Sequence, residues 1–273
     1  MNVQTNGQRR FTVVELPVFP IVKESLLMPL WYLPELVKFG WIPFAGILAI
    51  DLICYSLRRE DVSSGATGGL MAISHFLLLT PFSVAWTKLA IRGGPAVAKH
   101  PQFSYSRTQW LYLLAVAAMM AALLVLVGIP YVIILNGQRN FDNHISLFGG
   151  TAMMLGLGIY AIGYVRLAFV FPAIAIGRYA GIRAAWKQTA GNIERLAAIL
   201  VLAFLPYWLI RQAFEWYMGY HSPGVVEAFR GCIDMLLVAL ATTALAGPAL
   251  AYKAIVLDQP QDEVAARSIS AVQ

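Results

Sequence analysis

Six continuous apolar runs, each about long enough to cross a bilayer as a helix, constrain the fold of this chain more than any other feature. They cover about Gly40–Leu57, Thr67–Trp86, Leu111–Leu135, Leu147–Phe171, Leu196–Met218 and Phe229–Tyr252. Crossing about 30 Å of hydrocarbon takes about 20 helical residues. A barrel strand would alternate apolar and polar side chains over about ten residues, and these runs do not alternate. In lipid every backbone polar group must find its partner within the protein, and a helix provides one for each internal group. Composition agrees. Of 273 residues 59% are hydrophobic and only 12% charged, with a mean hydropathy of +0.67. Soluble domains carry about 25% charged residues, and a chain of this size has too little interior to hide so much apolar surface. A soluble enzyme, a soluble nucleic-acid-binding domain and a disordered chain are therefore excluded.

The expected fold is all-α: an integral membrane bundle of six transmembrane helices spanning residues 21–255, with tails at 1–20 and 256–273. The positions of the cations orient it. Arg9, Arg10, Lys23, Lys38, Lys88, Arg92, Lys99, Arg107, Arg178, Arg183, Lys187, Arg195, Lys253 and Arg267 fall on one side of the spans. Arg58, Arg59, Arg139, Arg211 and Arg230 fall on the other, and Arg166 lies within the fourth span. The positive-inside bias assigns the richer side, and with it both termini, to the cytoplasm. The net charge of +6 reads as this bias and as attraction to anionic headgroups, with no nucleic acid as partner. No cleavable signal sequence follows Arg9 and Arg10.

Between the spans lie three amphipathic stretches that suit the headgroup boundary: residues 21–39, 104–112 and 178–191. The third sets Tyr179, Ile182, Trp186 and Thr189 along one face, flanked by Arg183 and Lys187. The second repeats the theme with Tyr105, Arg107 and Trp110. Each even-numbered span carries a proline followed by a cation: Pro81 and Lys88, Pro172 and Arg178, Pro248 and Lys253. The pattern suggests three elbow-plus-hairpin repeats.

The stretch Arg166–Asn192 resembles a segment of bacterial inner-membrane proteins in which an Arg within a helix precedes a PAIA-like turn and an AWRLTRGN-like elbow. Arg166, Pro172-Ala173-Ile174-Ala175 and Ala185 to Asn192 carry the match, and the PFSVAWTKLAIRG stretch from Pro81 adds to it. Ala190 stands where those proteins have a basic residue, which weakens an anion-binding role for this elbow. The resemblance is to the YciC-like family and to the membrane domain fused to some glycerophosphodiester phosphodiesterases. It implies a six-helix inner-membrane protein. It does not imply phosphodiesterase chemistry, which needs a separate soluble domain with acidic and His metal ligands.

Ionisable groups inside the membrane are the sharpest candidates for function, since each costs about 2.5–3.5 kcal/mol at a helix centre on insertion scales. They are Asp51, His75, Arg166, Arg211 and Asp234. Asp51 has no cation nearby in sequence. It reads either as a proton or cation site, with His75 joining it in a relay, or as a hydrogen-bonded core residue. Gly149, Gly156 and Gly163 recur every seven residues, a small-residue face that admits a close neighbour. Arg166 continues that face into the bundle, to meet backbone carbonyls near Pro172, a lipid phosphate or a substrate anion. Asp234 lies four residues after Arg230, within reach of an ion pair, with Arg211 at similar depth. Cys54 and Cys232 fall at similar depth, as two buried thiols or a disulfide.

No zinc motif, phosphate loop or nucleophile elbow is present, and the four histidines are scattered. No cofactor or metal is expected. The favoured reading is a non-enzymatic envelope protein, a lipid-associated scaffold or helper whose partners are membrane lipids and another envelope protein. Arg107, Trp110, Arg178, Arg183, Trp186 and Lys187 would form its interfacial lipid contacts. The alternatives are a small proton-coupled transporter using Asp51, His75 and Arg166, and a membrane-embedded lipid enzyme.

Overall fold

The computed structural model describes residues 15–59, 64–93, 106–139, 143–179, 181–219 and 244–258. Every regular element among them is helical. Helix α1 (Val18–Trp31) ends where Tyr32 leaves helical geometry, and α2 (Leu33–Arg59) begins at once. Pro34 and Glu35 explain the restart. A proline in the first turn loses no helical hydrogen bond, and a carboxylate there complements the positive end of the helix dipole. Of the first amphipathic stretch, expected over residues 21–39, residues 33–39 instead open the first spanning helix.

Helix α3 (Ser64–Arg92) runs through Pro81. The third span starts at α4 (Arg107–Leu123), where the Ser106 N–H donates to Gln109 Oε1 at 2.7 Å. It continues through a π-helical turn at Leu124–Gly128 into α5 (Ile129–Arg139). Pro130 is the physical reason for that turn. It has no N–H for the Leu126 carbonyl four residues back, so the local ladder rearranges.

Helix α6 (Asn143–Leu167) and α7 (Val170–Ala175) form the fourth span, broken at Ala168 and Phe169. The break puts Pro172 into the first turn of α7, where it is tolerated. At the other end Gly177 has φ +75°, and the N–H groups of Arg178 and Gly177 bond the carbonyls of Ala173 (2.8 Å) and Ile174 (3.0 Å). This glycine-closed helix end turns the chain into α8 (Ile182–Gln188), which leads to α9 (Ile193–Gly219). Helix α10 (Ala246–Tyr252) with its π turn Lys253–Leu257 completes the described chain.

Five stretches are long and apolar enough to cross a membrane: Leu33–Cys54, Gly69–Arg92, Arg107–Leu135, Phe148–Ala175 and Ile193–Phe214. The protein is a multi-pass membrane protein. Of the sixth expected span, Ala246–Leu257 is an apolar helical stretch, and the part before Ala244 lies outside the described residues.

The core is concentrated at the elbow end. The segments that follow the three prolines, namely the second half of α3, α7 and α10, pack against one another. Phe82, Trp86, Leu89, Phe169, Ala175, Ala249 and Tyr252 are buried there. Phe82 stacks on Trp86 at 6.0 Å, and Phe169 meets Tyr252 edge-on at 5.4 Å. Helix α1 closes this core against α9 and α10 through Ile21, Val22, Ser25 and Met28. Away from it the helices separate into hairpins, α2 with α3 and α5 with α6, whose Leu52, Ile73, Val132, Met154 and Leu155 are exposed. In a bilayer such side chains meet acyl chains, so this surface is solvated by lipid.

The glycine face of α6 divides in two. A side-chain carbon on Gly149 would meet Ile134 and the Pro130 carbonyl, and one on Gly156 would run into the Leu126 carbonyl. That carbonyl lies four residues before Pro130, which has no N–H to bond it, and only a residue lacking Cβ at position 156 lets the two helices come this close. Gly163, expected to continue the face, has open space around its Cα.

Candidate functional site

Two constellations of polar side chains stand out, one at the elbow and one in the first hairpin. The elbow site begins with the break between α6 and α7. Interrupting the helix frees the Arg166 carbonyl, and the Thr189 hydroxyl, at the end of α8, lies 3.2 Å from it. The same hydroxyl is within 3.1 Å of the carbonyls of Ala185 and Trp186, so its single proton has three acceptors to serve. Thr189 and Ala185 are buried, which fixes the face of α8 that packs inward. Thr189 thus lies on the packed side. Tyr179, Ile182 and Trp186, expected on the same face, are exposed.

The Arg166 side chain completes the join. Its Nη1 donates to the Trp186 carbonyl at 3.4 Å, and its guanidinium carbon sits 5.1 Å from the centroid of the Trp186 ring. A cation over an indole face is held by about 0.5–2 kcal/mol, more as water is excluded. The Nε is buried with no hydrogen-bond partner among the described residues. Arg166 therefore faces the elbow, and the carbonyl it finds belongs to α8 instead of the Pro172 region. Around this join Arg178, Arg183 and Lys187 are exposed, as are Arg107 and Trp110 at the start of α4. Small rigid helices that carry Trp and basic residues on their open side are suited to the headgroup layer.

The second site is a pair. Nε2 of His75 in α3 lies 2.9 Å from Oδ1 of Asp51 in α2. The Asp51 side chain is 10% exposed and that of His75 25%, so each is largely withdrawn from its surroundings and has the other as its polar partner. One helical turn along α2, Cys54 is fully buried. An Asp–His pair of this kind can hold or pass a proton. Arg166 forms no ion pair with Asp51 among the described residues, so two of the three groups expected to line one cavity come together and the third does not.

No protein-family model, curated protein or solved structure matches the chain.

The remaining expected residues are placed as follows. Arg211 in α9 is exposed, with its Nη1 3.4 Å from the Tyr207 hydroxyl one turn earlier. Asp234, Arg230 and Cys232 lie outside the described residues, and with them the expected ion pair and the thiol pairing. Sequence reasoning missed three features. Arg195 bridges to Glu15 at 2.9 Å, and the Leu16 N–H reaches Asn192 Oδ1 at 3.4 Å, fastening the chain before α1 to the start of α9. Tyr112 in α4 is buried, with its ring 5.3 Å from that of Phe171 in α7. A groove of about 260 Å³ lies between α4, α7 and the approach to α8. All three join residues far apart in sequence, so no local spacing announces them.

Proposed function

We propose that this protein is a non-enzymatic, lipid-associated protein of the bacterial inner membrane, a scaffold or helper that works through its elbows at the headgroup layer. The observation that carries the reading is the seating of α8. Arg166 and Thr189 hold the elbow against the bundle from its inner face, which leaves Ile182, Trp186, Arg183 and Lys187 directed outward together. Arg166 is then a positioning residue, its charge spent on the elbow and not on a substrate anion. The resemblance of Arg166–Asn192 to the YciC-like proteins is consistent with this reading, which includes six spans with both termini in the cytoplasm. Three proline-led segments meeting in one core agree with three elbow-plus-hairpin repeats.

The test is anionic-lipid selectivity. The chain is reconstituted in mixed bilayers, and spin-labelled phosphatidylglycerol and phosphatidylcholine report which lipid the protein holds. Replacing Trp186, Arg183 and Lys187 together (W186A, R183Q, K187Q) is expected to remove most of the preference for phosphatidylglycerol. Each cation near a membrane surface contributes about 1 kcal/mol. An unchanged preference contradicts the reading.

The Asp51–His75 pair favours a second reading, a proton-coupled transporter. Proteoliposomes carrying an internal pH dye and an imposed membrane potential would then show proton uptake that Asp51→Asn abolishes. Equal uptake by D51N and wild type removes this reading. A membrane-embedded lipid enzyme also requires two titratable groups within hydrogen-bond reach, and this pair meets that requirement. It further requires a lipid-accessible cleft at the pair, and neither residue lines the groove between α4 and α7.

A further inference from the structure

The groove between α4 and α7 has a shape and setting that the elbow reading alone does not explain. Leu111, Ala115 and Ala118 of α4 form one wall, Phe171 and Ile174 the other, and Tyr179 and Ile182 flank the mouth at the elbow end. No charged side chain lines it. From Leu111 to Met119 the wall rises through eight helical steps, about 12 Å at 1.5 Å per residue. One leaflet of hydrocarbon is about 15 Å deep, half the core thickness. The groove therefore runs along most of one leaflet, starting at the elbow, with the depth a single acyl chain needs. Its mouth has the opposite character. Arg178 and Arg183 stand beside Tyr179 and Ile182 in sequence, Arg107 begins α4 one turn before Leu111, and all three are exposed. Trp110, on the same first turn of α4, is 56% exposed.

We propose that this groove is a binding site for one anionic phospholipid. An acyl chain lies along α4 and α7, and the headgroup phosphate is met by Arg178 and its neighbours at the mouth. Apolar depth selects a chain, and the exposed cations beside the lining residues select its charge. This goes further than general headgroup contact and rests on the elbow reading only for the placement of α8, which borders the mouth.

The test is native mass spectrometry of the full chain in detergent, titrated separately with phosphatidylglycerol and phosphatidylcholine. Wild type is expected to retain one phosphatidylglycerol at concentrations where phosphatidylcholine is lost. Ala118 is exposed on the groove wall, so Ala118→Trp fills the groove without entering the core, and the retained lipid is expected to disappear. Arg178→Gln is expected to weaken retention about fivefold, the loss of one surface cation, while matching wild type in its thermal melt by circular dichroism. Equal retention of the two lipids by wild type, or wild-type retention by A118W, overturns the proposal. Neither variant touches Trp186, Arg183 or Lys187. An A118W chain that keeps its lipid while the elbow triple variant loses selectivity refutes the groove and leaves the elbow reading standing. The converse result refutes the elbow reading alone.

Discussion

Asp51 and His75 are placed to offset a cost that either would bear alone. A lone carboxylate or imidazolium in a bilayer is expensive, and here each has the other at 2.9 Å. This leads to a prediction about stability separate from any transport role. Asp51→Leu or His75→Leu alone leaves the partner buried and unpaired, a loss of about 3–5 kcal/mol for buried pairs. The double replacement should be far milder than the sum, because no polar group is then stranded. Thermal unfolding of the four chains in one detergent measures the coupling, and additive losses would show that the two do not depend on each other. The candidate pair was legible from the residue types alone, since two ionisable groups in successive spans of a hairpin are natural partners. Arg166 was legible only in part. Residue type marks it as an intramembrane cation in need of a partner, but that partner is the Trp186 carbonyl, 20 residues on in the last turn of α8, which spacing alone does not locate.

Prolines decide the shape of the elements, and glycines decide where elements touch. Pro172 announces a broken helix in the sequence, yet the break falls at Ala168 and Phe169, far enough upstream to put the proline in a first turn. Pro130 produces a π turn, and Gly156 on α6 is the residue that lets the Leu126 carbonyl approach. Seven-residue spacing identified Gly149 and Gly156 correctly as contact positions. At Gly163 the same spacing meets open space. The contrast yields a sharp comparison. Gly156→Ala forces a methyl into backbone and is expected to cost about 1–3 kcal/mol, the range for overpacking a filled site. Gly158→Ala, two residues on, meets open space and should be neutral or slightly stabilising, since alanine favours the helix. Chemical denaturation in micelles resolves the two, and equal effects would contradict the close approach at Gly156.

At the scale of the whole molecule, the apolar runs made the membrane and the all-helical class legible, because hydropathy reports the solvent a segment needs regardless of its neighbours. The elbow-end core was less legible, since Phe82, Phe169 and Tyr252 meet only through packing of three segments distant in sequence. The lipid groove was not legible at all, being a gap left between elements. Among the described residues the chain is tightly packed where α3, α7 and α10 meet and splayed into hairpins away from that core, and Arg107, Arg178, Arg183 and Lys187 are exposed. The central claim is that this end holds anionic lipid through an elbow seated by Arg166. The most direct measurement is spin-label selectivity for phosphatidylglycerol over phosphatidylcholine in the wild-type chain, in the W186A/R183Q/K187Q chain and in Arg166→Met. The account predicts a clear preference in wild type, most of it lost in the triple variant and part of it lost in R166M, whose elbow keeps its charges but not its seat. A preference equal in all three chains would contradict it.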